Sequence, residues 1–363
     1  MFRTWIEIDS QALRHNINVL RGLLKPETSF MAVVKANAYG HGLEEISQIA
    51  ADSGVAIFGV DCLEDAIKLR RKFPAVQIVV LGYILLSDLK IAVENNIEFV
   101  VYNQETVEAL EELPASKIHL KIETGTARQG VKPEDLDRFI SLIKTVPQIE
   151  IVGVSTHLAT AEDVDGEFLR QQVSELKKAE EKIRAAGFDP KYLHCACSAA
   201  IILHREIQNT LVRAGLAMYG VWPSEYIKVS TGELKLKPVL SWKTRIAQIK
   251  DFPIGTSIGY NRTEFLSRSS RVAIVPVGYF DGYDRGLSSI GEVLVAGKRC
   301  KVLGRVCMNM IMIDVTDISE AKIEDEVTLI GSEVTADELA NKTGTIPYEI
   351  LARIRHDLPK YVV

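Results

Sequence analysis

The sequence is short of several things, and each shortage excludes a class of protein. No window approaches the roughly 20 uninterrupted apolar residues of a membrane-spanning helix, so no membrane partner is expected. The opening MFRTWIEIDSQ has no long apolar stretch after Arg3, which argues against a signal peptide. There is no excess of basic residues. Lys and Arg total 43 against 48 Asp and Glu, a formal net charge of -5, so no nucleic-acid partner is expected. Cysteine is sparse and odd in number, at 62, 195, 197, 300 and 307, which fits a reducing cytoplasm better than a disulfide framework. Cys195 and Cys197 lack a second Cys/His pair at finger-like spacing, so no metal is expected. Internal repeats and low-complexity tracts are also missing, and no G-x-G-x-x-G follows an early strand.

What is present is a 363-residue chain, 47% hydrophobic, with two textures. Residues 10–230 alternate apolar runs with amphipathic stretches. Ser10 is placed to cap a helix carrying Leu13, Ile17, Leu20 and Leu24 at helical spacing. Short apolar runs follow at 30–35, 55–60, 77–82, 97–102, 117–123, 149–157, 192–197 and 211–214. Eight such strands joined by crossovers predict an α/β (β/α)8 TIM-type barrel, with a doubly wound open sheet as the alternative. From 235 to 363 the chain is β-rich with glycine turns and one short helical stretch, ADELANKTG, predicting a mostly β C-terminal domain. Residues 222–236 are the expected linker, and residues 1–9 contain a strand that precedes the barrel and is placed with the β domain.

Barrels place chemistry at the C-terminal ends of their strands. Lys35 ends the first predicted strand after an apolar run. Burial there would lower its pKa from about 10.4 and leave a nucleophilic amine. His157 ends the sixth strand, Ser198 the seventh, and Arg213 lies in the eighth. Each has an ordinary reading as well: a lysine reaching out of the rim, a hydrogen-bonded core histidine, a helix N-cap. A buried arginine needs a partner in any case. Loops after strands seven and eight are the usual barrel phosphate site, so lysine, phosphate cradle and arginine together point to pyridoxal phosphate.

The motif AVVKANAYGHG at 32–42 resembles the cofactor-lysine motif of alanine racemases, and the likeness runs in order from TWIEID at 4–9 to GTIPYE at 344–349. The resemblance implies a barrel followed by a β domain, acting as a head-to-tail homodimer on a small amino acid with pyridoxal 5'-phosphate. It implies that Lys35 binds the cofactor and is one base, and that Tyr260 of the partner subunit is the other. Tyr39, Tyr348 and Ser198, with the backbone near Gly215 and Leu216, match the phosphate contacts. Arg213 matches the arginine facing the pyridine nitrogen, and His157 the histidine linked to it. Arg128 matches the guide for the substrate carboxylate, with Met308 of the partner subunit as a backbone contact. Lys121 matches a lysine often carbamylated, and Tyr279, Arg285 and Arg305 match the lining of the substrate channel. Without the resemblance, Lys121 and Arg128 read equally as surface charges, and Tyr260 and Tyr279 as aromatics at strand ends.

The chemistry needs a base on each face, because racemisation removes the α-proton from one side and returns one to the other. Unperturbed lysine and tyrosine, near pKa 10, are poor bases and must be tuned. The resemblance gives Tyr260 a hydrogen bond to His157 for that purpose. An arginine at the pyridine nitrogen keeps it unprotonated and makes a weaker electron sink than a carboxylate would. Two positions depart from some members: Asn309 replaces aspartate and Cys197 replaces asparagine. The alternatives are a broad-specificity or serine racemase, a decarboxylase of the same barrel class, and a non-catalytic cofactor-binding protein.

Overall fold

A computed structural model describes residues 2–163 and 166–363. The chain divides into two compact units. One contains residues 14–36 and 46–236, the other residues 1–13, 37–45 and 237–363.

The first unit is the barrel. Its parallel strands are β2 (Ser29–Val33), β3 (Ile57–Val60), β4 (Gln77–Val80), β5 (Glu98–Val101), β6 (Ser116–Lys121), β7 (Ile149–Ser155), β8 (Tyr192–His194) and β9 (Leu211–Ala214). They lie side by side in the order β8-β7-β6-β5-β4-β3-β2-β9. The seam between β8 and β9 is bridged by two bonds. Arg213 N–H donates to the Ala196 carbonyl at 3.0 Å, and Leu193 N–H donates to Thr210 Oγ1 at 2.8 Å. The strands read as near-continuous apolar runs because helices cover one face and the barrel interior the other. Strand ends shift by one to three residues from expectation, most at β8, where the chain leaves the sheet after His194. Cys195 and Cys197 therefore lie beyond the strand, and no metal-binding group of His, Cys, Asp or Glu occurs among the described residues.

The helix after the first strand spans Ser10–Gly22, but its cap is Asp9 rather than Ser10. Asp9 Oδ1 accepts from Ala12 N–H at 2.8 Å, while Ser10 Oγ donates to the Val363 carbonyl. The 222–236 stretch holds a short helix, Glu225–Ser230, capped by Ser224.

The second unit is a nine-stranded sheet. Its strands are β1 (Thr4–Ile8), β10 (Leu240–Arg245), β11 (Gln248–Phe252), β14 (Ser270–Val275), β15 (Glu292–Val295), β16 (Lys298–Leu303), β17 (Ile311–Asp314), β18 (Glu326–Ile330) and β19 (Lys360–Val362). A two-stranded hairpin, β12 (Ser257–Ile258) with β13 (Glu264–Phe265), carries Tyr260 in its turn. The N-terminal strand β1 lies between β10, antiparallel, and β19, parallel. Trp242, fully buried, donates from its indole N–H to Thr4 Oγ1 at 3.1 Å. ADELANKTG forms the helix Ala336–Thr343, which Gly344 ends in a left-handed conformation (φ 70°). A second helix, Pro347–Ala352, follows it and was not anticipated. Among the described residues, no helix is long and apolar enough to cross a membrane.

Candidate active site

Lys35 leaves β2 and enters a turn that is wound the wrong way. Ala36, Asn37, Ala38 and Tyr39 all have φ between 53° and 55°. A left-handed turn of ordinary residues costs roughly 1–2 kcal/mol per residue, so the surroundings must impose it. Asn37 does much of that: its carbonyl accepts from Gly42 N–H at 2.9 Å and its side-chain Oδ1 from Leu43 N–H at 3.0 Å. Gly40 follows at φ 83°, and a Cβ there would sit 2.1 Å from the Leu351 carbonyl oxygen, so only glycine fits. The sequence gives no sign of this turn.

The expectation that apolar neighbours desolvate Lys35 is not met. Its side chain is 42% exposed, with Nζ 3.8 Å from Asp61 Oδ1. The buried lysine is Lys121 at the end of β6. Burial first, then the positive charges of Arg213, Arg128 and Lys35, push it down to about 8. Its Nζ donates to Gln129 Oε1 at 3.3 Å.

Arg128 lies on a loop that Glu123 organises. Burial works against the Glu123 carboxylate. It is outweighed by the N–H groups of Arg128, Gly125 and Ala127 and the Thr126 hydroxyl, which hold it near 2. Arg128 N–H reaches Glu123 Oε2 at 3.0 Å and Gly125 N–H reaches Oε1 at 2.6 Å.

Arg213, on β9, is the most heavily bonded cation of the mouth. Its Nη1 donates to His194 Nδ1 at 2.8 Å and to the His194 carbonyl at 2.9 Å. Its Nη2 donates to the Thr156 carbonyl at 2.9 Å, and at 3.2 Å to both the Cys195 carbonyl and His157 Nδ1. Burial, then Arg213, Arg128, Lys121 and Lys35, drive His157 down to about 3, so it is neutral. Ser198 Oγ accepts the Gly215 and Ala217 N–H groups at 3.1 and 3.3 Å, leaving its own proton for an outside acceptor. Leu216 then opens a single helical turn to Tyr219, whose hydroxyl donates to the Val33 carbonyl at 2.8 Å, two residues before Lys35.

Lys35, Lys121, Arg128, Arg213, His157 and Ser198 thus stand at the C-terminal ends of β2, β6, β7, β8 and β9 or just beyond. This donor set fits pyridoxal 5'-phosphate: an amine for the aldehyde, a hydroxyl and backbone N–H cradle for the phosphate, and several cations for anionic groups.

The other expected residues belong to the β unit. The rings of Tyr39 and Tyr348 are 6.0 Å apart at 49°. Tyr260 is 70% exposed. Tyr279 N–H donates to the Cys307 carbonyl and Phe280 N–H to the Met308 carbonyl, at 3.1 and 3.0 Å, so those two stretches lie side by side. Arg305 N lies 3.3 Å from where a Cβ on Gly259 would stand, beside Tyr260, and Arg285 opens a short turn capped by Asp284. Tyr260, Tyr279, Phe280, Met308 and Met310 are each exposed.

Family profiles described as "Alanine racemase, N-terminal domain" and "Alanine racemase, C-terminal domain" match residues 8–223 and 239–362. The chain belongs to the alanine racemase family. It is accordingly an isomerase enzyme. A relative named alanine racemase from Leptospira interrogans is 37% identical, covering 100% of this chain and 96% of that protein. One from Halothermothrix orenii is also 37% identical, covering 98% and 96%. Among solved structures, alanine racemase from Clostridium difficile 630 superposes with a TM-score of 0.95 at 32% identity, covering 100% and 96%. The Bacillus anthracis alanine racemase with bound L-Ala-P superposes with a TM-score of 0.94 at 34% identity, covering 100% and 95%.

Sequence reasoning missed Asp61, Glu123 and Gln129 around this racemase-family site, and a polar line beneath it formed by His194, His119 and Glu98. The available signal was alternation. His119 sits two residues before Lys121, so both face one side of β6, the interior side.

Proposed function

We propose that this chain interconverts L- and D-alanine with pyridoxal 5'-phosphate, using Lys35 and Tyr260 of the partner subunit as bases on opposite faces. One observation carries this reading: the positive charges of Arg213, Arg128 and Lys35 all bear on Lys121, a gathering of positive charge at one barrel mouth. Such a site wants anions, and a cofactor phosphate and a substrate carboxylate are two. When bound, the cofactor supplies an electron-withdrawing ring that acidifies the substrate α-proton.

The residues divide the work. Ser198, the backbone at Gly215 and Leu216, and Tyr39 and Tyr348 hold the phosphate. Arg213 would meet the ring nitrogen as a fixed donor, because its guanidinium keeps its protons. Arg128 and Met308 of the partner subunit hold the substrate carboxylate. Lys35 moves the proton on one face of the α-carbon and Tyr260 of the partner subunit on the other. Neutral His157 offers a ring N–H to that tyrosine oxygen. Lys121, pushed down to about 8, is in part a free amine near neutral pH, the form that would take up carbon dioxide as a carbamate with loss of a proton and give Arg128 an anionic partner. Tyr279, Arg285 and Arg305 line the substrate channel. Large apolar side chains left exposed in the single chain, Tyr260 and Met308 among them, are what a second subunit would cover, which supports a homodimer with shared sites.

The test is a coupled oxidase assay of purified protein on L-alanine, L-serine and L-lysine. D-alanine should form fastest. Faster D-serine or D-lysine formation would replace this reading with a broad-specificity racemase, and no product with bound cofactor would leave a cofactor-binding protein.

A further inference from the structure

Barrel interiors are usually filled by layers of branched aliphatic side chains. Beneath the mouth of this barrel a line of buried polar groups runs inward instead. Arg213 Nη1 lies 2.8 Å from His194 Nδ1. His194 Nε2 lies 2.9 Å from His119 Nδ1. His119 Nε2 lies 2.9 Å from Glu98 Oε2, at the start of β5. Beyond it, Gln77 Nε2 donates to the same Glu98 oxygen at 2.7 Å, and Tyr192 OH donates to Gln77 Oε1 at 2.9 Å. His119 also stacks on the Tyr192 ring, 6.0 Å between centroids at 11°.

The backbone is shaped for this line. The β6–β7 register skips a residue between Ile118 and His119, so that His119 pairs with Gly153. Such an irregularity re-aims a side chain. The His119 ring then occupies the space over Gly153, where a Cβ would lie 2.1 Å from His119 Nδ1.

Donor chemistry fixes the direction of every bond. A guanidinium only donates, so His194 Nδ1 must accept. His194 therefore carries its proton on Nε2 and donates to His119 Nδ1. His119 in turn carries its proton on Nε2 and donates to the Glu98 carboxylate. Both imidazoles are neutral in this arrangement. Burial and the charge of Arg213 agree, holding His194 well below its ordinary value.

We propose that Glu98 is a positioning residue for Arg213, acting through His119 and His194. Its carboxylate gives the line an accepting end, so both imidazoles turn a lone pair toward the arginine. Polarisation along the line strengthens each bond and sets a negative charge behind the guanidinium. Arg213 is thereby held in one orientation, with Nη1 on His194 and Nη2 on His157. The inference rests on the proposed role of Arg213 at the cofactor ring.

The test reads the imidazoles directly. Full-length protein labelled with 15N-histidine is examined by NMR in the wild type, Glu98→Gln and Glu98→Leu, with signals assigned by loss in His119→Asn and His194→Asn. In the wild type both rings should be neutral with the proton on Nε2. Glu98→Gln keeps an accepting oxygen and should keep both tautomers. Glu98→Leu fills similar space without an acceptor. Without that acceptor the buried His119 Nε2 proton is left unpaired, so His119 should also populate the Nδ1 tautomer at the expense of its bond from His194, and kcat for alanine should fall about tenfold, the effect of one buried hydrogen bond, with KM changed less than about twofold. A wild-type His119 or His194 that is doubly protonated or carries its proton on Nδ1 overturns the proposal. A folded Glu98→Leu protein with both rings unchanged overturns it too. If Glu98→Leu does not fold, the wild-type and Glu98→Gln spectra still decide. Tautomers as expected in a protein that does not racemise would support the positioning of Arg213 and count instead against the proposed reaction.

Discussion

Arg213 donates from Nη2 to His157 Nδ1 at 3.2 Å, so the proton of this neutral histidine sits on Nε2. With its value driven down to about 3 by burial and then by Arg213, Arg128, Lys121 and Lys35, His157 is a hydrogen-bond donor and not a proton carrier near neutrality. A pH-rate profile for alanine should therefore contain no limb due to His157. His157→Gln should lower the rate while leaving the shape of the profile unchanged. Loss of a limb near neutral pH in that variant would show that the histidine titrates.

Lys35 ends a barrel strand beside Asp61 and leads into the left-handed turn, a place where an amine is presented and held. Borohydride treatment of the purified protein, followed by peptide mapping, should label the peptide spanning 32–42. Label on another lysine, or a protein without cofactor, would remove Lys35 from its proposed role.

Shared sites make a quantitative expectation. Lys35→Ala and Tyr260→Phe should each be inactive. Dissociated together and reassembled in equal amounts, about half the dimers are mixed and roughly a quarter of all sites recover both bases. If Tyr260 served its own subunit, no site would recover, and a mixture no more active than its parents would refute the shared arrangement.

Glu123 ties the Arg128 loop to acid stability. Its carboxyl is held near 2 in the folded chain, below the unfolded value of about 4.3. The unfolded state thus binds the proton more readily between those values. The stabilisation is fully present above the unfolded value and is lost as pH falls through the folded one. Because the group is only partly buried, solvent screening leaves about 1 kcal/mol of it. Glu123→Gln should be less stable than wild type at neutral pH by that amount, and the difference should vanish in acid. A difference independent of pH in denaturant titrations would contradict the linkage.

The barrel strands were legible because a parallel sheet buried on both faces writes itself as short apolar runs, and β2 to β9 coincide with them. The candidate residues on those strands were picked out by position, as polar groups ending apolar runs at a barrel rim, although each also has an ordinary reading. The cap at Asp9 was missed because Asp9 and Ser10 are both good caps and adjacent, and only the bond to Ala12 N–H distinguishes them. Glu98 and His194 were passed over because each is an isolated polar residue inside an apolar run, with nothing along the chain to say what it faces.

Strand and helix alternation, the change to a β-rich second half, and the residue types ending each barrel strand can all be read along the chain. These depend on local periodicity and composition, which a linear chain carries openly. The packing of distant strands leaves Lys35 open and Lys121 buried. It alone decided that Asn37 holds a left-handed turn and that Arg213, His194, His119 and Glu98 form one directed line. Desolvation, backbone strain and hydrogen-bond direction depend on which distant strands stand face to face, and His119 meets His194 across 75 residues of sequence.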